Sequence, residues 1–132
     1  MKGDRILIVD DDPGIRRLLI AVLRRQQYEM LEASNGLEAL AQMRAGRPDL
    51  VIMDLVMPLM SGWDVLRERA GDASLLRIPI VVVTASNIQS PGAGLLAPHV
   101  CGLMAKPFEL DTILATVHRC LGHPRIPAPA AA

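Results

Sequence analysis

Residues 6–14 read ILIVDDDPG, an apolar run followed by three aspartates, a proline and a glycine. The run has the length and the branched side chains of a buried β-strand. Adjacent carboxylates repel one another, and each costs free energy when it leaves water. A buried strand that ends in this way needs water, a cation or a helix terminus beside its carboxylates. The stretch therefore predicts a strand with a polar site at its carboxyl end.

Apolar strands and amphipathic helices alternate along the rest of the chain. The predicted strands are residues 5–10, 28–33, 49–54, 78–85 and 102–105. The predicted helices are residues 14–26, 36–45 and 61–70, with a closing helix over 110–121. Nearly continuous apolar strands between helices favour a parallel sheet covered on both faces. We therefore expect an α/β fold with a doubly wound, five-stranded parallel sheet flanked by helices.

Two segments depart from this alternation. Residues 86–98, SNIQSPGAGLLAP, stand where a fourth helix is due. A glycine costs a helix interior about 1 kcal/mol and a proline about 3 kcal/mol relative to alanine. We therefore expect the fourth helix to be short, irregular, displaced or mobile. Residues 122–132 are rich in proline and alanine, which predicts a domain over residues 1–121 followed by a tail or the start of a linker.

Composition excludes several classes of function. The 132 residues suffice for one domain, and 14 basic residues balance 14 acidic ones. Zero net charge and 2% aromatic residues argue against direct nucleic-acid binding. No apolar run approaches the roughly 18 residues of a membrane span, and the N-terminus lacks the pattern of a signal peptide. We therefore expect a cytoplasmic protein without a membrane partner.

The two cysteines have no metal-binding pattern. Cys101 and Cys120 form neither a C-x-x-C pair nor a Cys/His ligand set. Because thiols stay reduced in the cytosol, we expect two buried free thiols.

Polar side chains stand at the ends of four predicted strands. Asp10 and Asp11 end the first, Asp54 the third and Thr84 the fourth, and Lys106 follows the fifth. In parallel α/β sheets, ligands bind outside the carboxyl ends of the strands. We therefore expect these five side chains to converge on one edge of the sheet.

The three adjacent aspartates divide into two roles. Asp12 precedes Pro13, and proline is favoured at the first position of a helix. Asp12 is therefore predicted to be the N-cap of the first helix. Asp10 and Asp11 remain, and with Asp54 they offer the oxygen ligands that Mg2+ prefers.

The sequence resembles the receiver domain of two-component response regulators over roughly residues 4–121. The segments that carry the resemblance, in order and at suitable spacing, are ILIVDDDPGIRRLL, PDLVIMDLVMPLMSGWDVL, IPIVVVTA and MAKPFEL. Four such segments in register are far more specific than any one of them. The resemblance implies the flavodoxin-like strand order 2-1-3-4-5.

The resemblance also implies a function and a metal site. Asp54 would be the phosphoacceptor of a two-component phosphorelay, phosphorylated by a sensor histidine kinase or phosphotransfer protein in a Mg2+-dependent reaction. Asp11, Asp54 and the backbone carbonyl of Val56 would bind Mg2+ directly, and Asp10 would act through a water or at longer range. Such a protein is a switch with intrinsic phosphorylation chemistry, not a turnover enzyme, and its output partner stays open.

The remaining site residues follow from the same resemblance. Lys106 would neutralise the charge of the transferred phosphoryl group, and Thr84 would turn inward to hydrogen-bond it. Pro107 would follow a cis peptide bond. Leu103 stands where the family often has a tyrosine or phenylalanine that moves with the threonine.

Two other functions compete with this interpretation. Phosphatases of the haloacid-dehalogenase type use an aspartate after a first strand, and in that case Asp10, rather than Asp54, would carry the phosphoryl group. Such enzymes usually need a longer chain and a later acidic pair. The second competitor is a receiver-like module that binds a partner without phosphorylation, which the intact set of acidic residues and Lys106 disfavours.

Overall fold

The computed structural model describes residues 3–85 and 99–122. Its five strands form one parallel sheet in the order β2-β1-β3-β4-β5. The strands are β1 (Arg5–Val9), β2 (Glu29–Ala33), β3 (Leu50–Met53), β4 (Ile80–Thr84) and β5 (Gly102–Ala105). The helices are α1 (Pro13–Arg24), α2 (Gly36–Gly46), α3 (Gly62–Ala70), α4 (Ala73–Leu76) and α5 (Leu110–Cys120). The predicted fold class and the strand order implied by the resemblance are confirmed.

The sheet is buried on both faces. In β1, Leu7 and Val9 pack into one apolar cluster, whereas Ile6 and Ile8 pack into a second on the opposite face. Successive side chains of a strand point to opposite faces, so a strand covered on both sides must be apolar at every position. The first cluster includes residues of α2 and α3, and the second includes residues of α1 and α5. This double burial explains why the strands read as unbroken apolar runs.

Side-chain caps begin α1, α2 and α3, and the first of them was predicted from the sequence. The Asp12 carboxylate accepts from the amides of Gly14 at 2.8 Å and Ile15 at 3.4 Å, which confirms it as the N-cap of α1. The Asn35 side chain caps α2, and Ser61 opens α3 with a capping box. Each cap satisfies amides that have no partner within the helix.

Some predicted features differ from the structure or lie outside it. The four-residue helix α4, capped by Asp72, was not predicted. The expected irregular fourth helix over residues 86–98 and the tail beyond residue 122 lie outside the described residues. Within residues 3–85 and 99–122, each helix is too short or too polar to cross a membrane.

The prediction of two buried free thiols was wrong. Cys101 and Cys120 form a disulfide, and both residues are half-buried. The two positions are 19 residues apart, and their Cα atoms lie 6.0 Å apart because α5 returns to the start of β5. Sequence spacing alone does not reveal a contact that depends on how a helix packs against a strand.

Candidate functional site

Lys106 is the centre of a charged cluster at the carboxyl edge of the sheet. Its amine donates to Asp10 Oδ2 at 2.7 Å and to Asp54 Oδ2 at 2.9 Å. Both aspartates are buried, with 3% and 7% of their surface exposed. Strands β1 and β3 are neighbours, so the residues that follow them meet at one edge. The predicted convergence of Asp10, Asp54 and Lys106 is therefore present.

Asp10 is held in place from several directions. Its Oδ1 accepts from the amide of Asp12 at 2.9 Å, while its Oδ2 is bound by Lys106. Arg16 Nη1 donates to the carbonyl oxygen of Asp10 at 2.6 Å and its Nε to Glu32 Oε1 at 3.0 Å. Both carboxylate oxygens of Asp10 already have a donor, which fixes the orientation of the side chain.

Asp54 opens a tight loop between β3 and α3. Its Oδ1 accepts from the amide of Val56 at 3.2 Å, and its own amide donates to the carbonyl of Val9 at 3.0 Å. The loop closes where the amide of Gly62 donates to the Leu55 carbonyl at 2.9 Å. A Cβ on Gly62 would collide with the Asp54 carbonyl oxygen, so only glycine allows this approach.

A second glycine ties the loop to α2. The amide of Gly36 donates to the Met60 carbonyl oxygen at 2.9 Å. A Cβ at Gly36 would stand 2.6 Å from that oxygen, closer than real Cβ contacts allow. The loop that carries Asp54 is therefore anchored at both ends.

Asp11 completes an acidic group suited to a cation. Carboxylate oxygens of Asp10, Asp11 and Asp54 lie within 4.8 Å of one another. Asp11 is exposed, and within residues 3–85 and 99–122 its carboxylate accepts no hydrogen bond. Three carboxylates beside one lysine leave an excess of negative charge. All the atoms that could bind a metal ion are hard oxygen atoms. These oxygen ligands fit a divalent cation such as Mg2+, and the Asp11 oxygen atoms are the most accessible of them.

The surroundings of Lys106 keep its amine charged. Burial is the largest single influence on the Lys106 pKa and acts to lower it. The hydrogen bonds from the amine to Asp10 and Asp54, together with the charges of those carboxylates, outweigh burial and raise the pKa above its ordinary value. The site thus holds a permanent positive charge beside Asp54 at neutral pH.

Thr84 and Leu103 lie on the two strands next to this cluster. Thr84 ends β4 and has 1% of its surface exposed, and its carbonyl accepts from the Lys106 amide at 2.9 Å. Leu103 pairs with Val82 on β4 and is half-buried. The peptide bond between Lys106 and Pro107 is cis, as the resemblance implies.

Comparison with known proteins agrees with this architecture. The profile of the response regulator receiver domain matches residues 6–118. The chain belongs to this family. A receiver domain is a signalling module of two-component systems, and the match covers most of the chain, including every site residue described above.

Two curated relatives align with this chain over nearly their whole length. Protein PilH of Pseudomonas aeruginosa is 33% identical over 117 residues, which cover 89% of this chain and 97% of PilH. Sporulation initiation phosphotransferase F of Bacillus subtilis is 35% identical over 126 residues, covering 92% of this chain and 96% of that protein. The chain spans only 48% and 50% of two other curated relatives.

A solved structure carries the ion that the acidic group suits. The receiver domain of a sensor histidine kinase from Pseudomonas aeruginosa has a magnesium ion coordinated in its active site cleft. It is 28% identical to this receiver domain, with a TM-score of 0.81, and the alignment covers 91% of this chain and 98% of that one.

Sequence reasoning missed the role of Arg16. Arg16 is not among the site residues predicted from the sequence, but the structure places it against the Asp10 carbonyl and Glu32. The available signal was its position one helical turn after the Asp12 cap, on the turn nearest the acidic residues. Arg17, on the same helix, is exposed.

Proposed function

We propose that this receiver domain accepts a phosphoryl group on Asp54 from a phosphohistidine of a sensor kinase or phosphotransfer protein. The observation that supports this proposal is the Lys106 amine, which stands 2.9 Å from Asp54 Oδ2 and 2.7 Å from Asp10 Oδ2. A nucleophilic carboxylate beside a fixed cation suits the transfer of an anionic group, because phosphoryl transfer depends mainly on positioning and charge stabilisation.

The chemistry is a displacement at phosphorus. A carboxylate oxygen of Asp54 forms the new bond, the bond from phosphorus to the donor imidazole nitrogen breaks, and that nitrogen keeps the electron pair. Lys106 offsets the charge of the phosphoryl oxygens and moves from carboxylate to phosphoryl as the group arrives. Gly62 and Gly36 keep the Asp54 loop in place during the transfer.

The acidic residues would hold Mg2+ for this reaction. Asp11 and Asp54 would bind it directly with the backbone carbonyl of Val56, and Asp10 would act through a water or at longer range, as the resemblance implies. The ion, when bound, supplies the positive charge that holds phosphoryl and carboxylate oxygens together.

The output begins with Thr84 in this proposal. A phosphoryl group on Asp54 offers acceptor oxygens near the end of β4, where the buried Thr84 hydroxyl donates to one of them. Thr84 would turn inward to make this hydrogen bond, which would shift the end of β4 and change the surface that a partner meets. Leu103 stands where the family often has an aromatic residue, so the movement of Thr84 would not be coupled to that of a ring.

The proposed setting follows the same logic. The receiver domain would occupy residues 1–121, with residues 122–132 as a tail or linker start. We place it in the cytoplasm, with a sensor histidine kinase or phosphotransfer protein as donor and with an output partner of unknown kind. Balanced charge speaks against direct contact with nucleic acid or a membrane.

The test is the intact mass after incubation with Mg2+ and acetyl phosphate. We expect one added phosphoryl group, lost when Mg2+ is chelated and absent in Asp54→Asn. Asp12→Asn is the matched control, because asparagine still caps α1 and the cluster around Lys106 is unchanged. Failure of the wild-type protein to gain the group, with Mg2+ binding intact, would favour a module that acts without phosphorylation.

A further inference from the structure

The disulfide joins two elements away from the acidic site. Cys101 immediately precedes β5, and Cys120 is the last residue of α5. The two elements pack closely next to the bond, because a Cβ on Gly102 would stand 2.7 Å from Thr116 Cγ2. β5 and α5 are therefore in close contact beside the disulfide.

A positive charge stands beside one sulfur. Arg119 Nη1 lies 3.8 Å from Cys101 Sγ, and its Nη2 donates to the Cys101 carbonyl at 3.0 Å. A guanidinium next to a thiol favours the thiolate, which is the form that attacks disulfides and peroxides. Both cysteines are half-buried rather than sealed in the core, so small oxidants and reductants can reach them.

We propose that Cys101 and Cys120 are a reversible thiol–disulfide site that fixes or releases β5. The inference rests on the proposed function only for the cytoplasmic setting, in which disulfides are usually transient and redox-sensing. A cation beside one sulfur, a resolving cysteine at bonding distance and partial exposure are the features of such a pair.

The reaction balances with a disulfide such as oxidised glutathione as the oxidant. The Cys101 thiolate attacks one glutathione sulfur, the glutathione S–S bond breaks, and one glutathione leaves as a thiolate. Cys120 loses its proton and attacks Cys101 Sγ, which expels the second glutathione. The two cysteines are oxidised to one disulfide, and one glutathione disulfide is reduced to two thiols that take up the two protons.

The bond acts on the strand that presents Lys106. The Cys101 amide donates to the Ile80 carbonyl at 2.7 Å, and β5 pairs only with β4 among the described strands. Lys106 directly follows β5. Oxidation would tie the start of this edge strand to the end of α5, and reduction would let β5 separate locally from the helix.

The first test counts thiols in the full chain across glutathione buffers from reducing to oxidising. The chain has two cysteines, so alkylation and intact mass separate the dithiol from the disulfide directly. We expect a reversible change from two thiols to none within this range. Arg119→Gln should slow oxidation roughly three- to tenfold, and Arg119→Lys should keep most of the rate because the charge is retained.

The second test is amide hydrogen exchange in peptides that cover β5. We expect exchange at Leu103 and Met104 to be about tenfold slower in the oxidised protein, because the bond suppresses local opening. Cys101→Ser/Cys120→Ser should exchange like the reduced protein in either buffer.

Each contrary result overturns the proposal in a recognisable way. Two thiols at every glutathione ratio would mean that the pair does not form, and a bond that survives excess reductant would mark a permanent cross-link. Equal exchange in the two states would remove the effect on β5. Neither test needs a phosphoryl group on Asp54, so failure here leaves the proposed function standing.

Discussion

Lys106 decides the electrostatics of the site. One amine serves two buried carboxylates, at 2.7 Å from Asp10 and 2.9 Å from Asp54. Without a cation, those carboxylates would repel each other in a setting that screens charge poorly. The arrangement shows why the chain keeps lysine here: a compact ammonium group on a flexible stem can bridge two oxygens and later meet a third group.

Replacement of Lys106 should destabilise the fold, because the buried carboxylates of Asp10 and Asp54 repel each other. We expect Lys106→Met to lower the free energy of unfolding by about 3 kcal/mol in metal-free buffer, since two buried carboxylates lose their counter-charge. Urea denaturation measures the change, and millimolar Mg2+ should restore part of the loss. Arg17→Met, an exposed site on α1, is the control and should change stability by less than about 0.5 kcal/mol. An equal loss in both variants would contradict this role for Lys106.

Tyr28 predicts a pH dependence away from the acidic site. Burial, and secondarily the charge of Asp4, raises its pKa to about 12. The unfolded chain releases this proton near the ordinary value of about 10, so the stabilising effect is complete below that pH and is lost as pH rises towards 12. The free energy of unfolding should therefore fall with rising pH across this window.

The sole tyrosine makes this measurement direct. Ultraviolet absorbance of tyrosinate should titrate near pH 12 in the folded protein and near pH 10 in urea. In Tyr28→Phe, which also loses the 2.8 Å contact with His118 Nδ1, the alkaline fall in stability should be shallower. A folded-state midpoint near 10 would show that burial does not perturb the phenol.

At the scale of single elements, the helix caps position the loops that carry the site. Asp12 caps α1 directly after Asp10 and Asp11, so the same turn both ends β1 and starts the helix. Ser61 caps α3 directly after the Asp54 loop, where Gly62 closes the return. Helix starts therefore fix where the acidic residues point.

Two N-cap positions offer a matched comparison. Asp12 accepts two amide hydrogen bonds, whereas Glu109, at the start of α5, makes no side-chain cap bond. We expect Asp12→Ala to cost about 1 kcal/mol of stability and Glu109→Ala to change it by less than about 0.5 kcal/mol. Chemical denaturation of both variants checks the difference, and equal effects would argue against the Asp12 cap.

Local features were predictable and packing-dependent ones were not. The Asp12 cap follows from a short-range pattern with Pro13, and the two-sided sheet follows from unbroken apolar runs. The cysteine pair was misjudged because its contact depends on how α5 packs against β5. Arg16 was overlooked because its contacts with Asp10 and Glu32 depend on how α1 packs beside β1 and β2. Helix α4 was missed because four residues carry too little periodicity to predict a helix.

At the scale of the whole molecule, the sheet brings together charged residues that are distant in the sequence. Asp10 and Lys106 are 96 residues apart in the sequence and share one contact. The order β2-β1-β3-β4-β5 places β1 and β3 side by side, which brings Asp10, Asp11 and Asp54 together. A ligand that binds only this assembled edge stabilises the whole fold by mass action.

Magnesium should therefore raise the stability of the receiver domain. At a concentration about 100 times the dissociation constant, we expect a gain of about 2.7 kcal/mol in the free energy of unfolding. Asp11→Asn should lose most of this gain while keeping or slightly increasing stability in metal-free buffer, because a repulsive charge is removed. Asp12→Asn should keep the gain. Thermal denaturation with Mg2+ or chelator distinguishes them, and an unchanged gain in Asp11→Asn would exclude Asp11 as a ligand.

Chemical trapping of the aspartyl phosphate identifies the residue that carries the phosphoryl group. After incubation with Mg2+ and acetyl phosphate, borohydride reduces an aspartyl phosphate to homoserine, and peptide mass mapping finds the converted position. We expect conversion at Asp54 alone. Conversion at Asp10 would rule out Asp54 as the phosphoacceptor and favour the phosphatase-like chemistry, in which the residue after the first strand is the nucleophile.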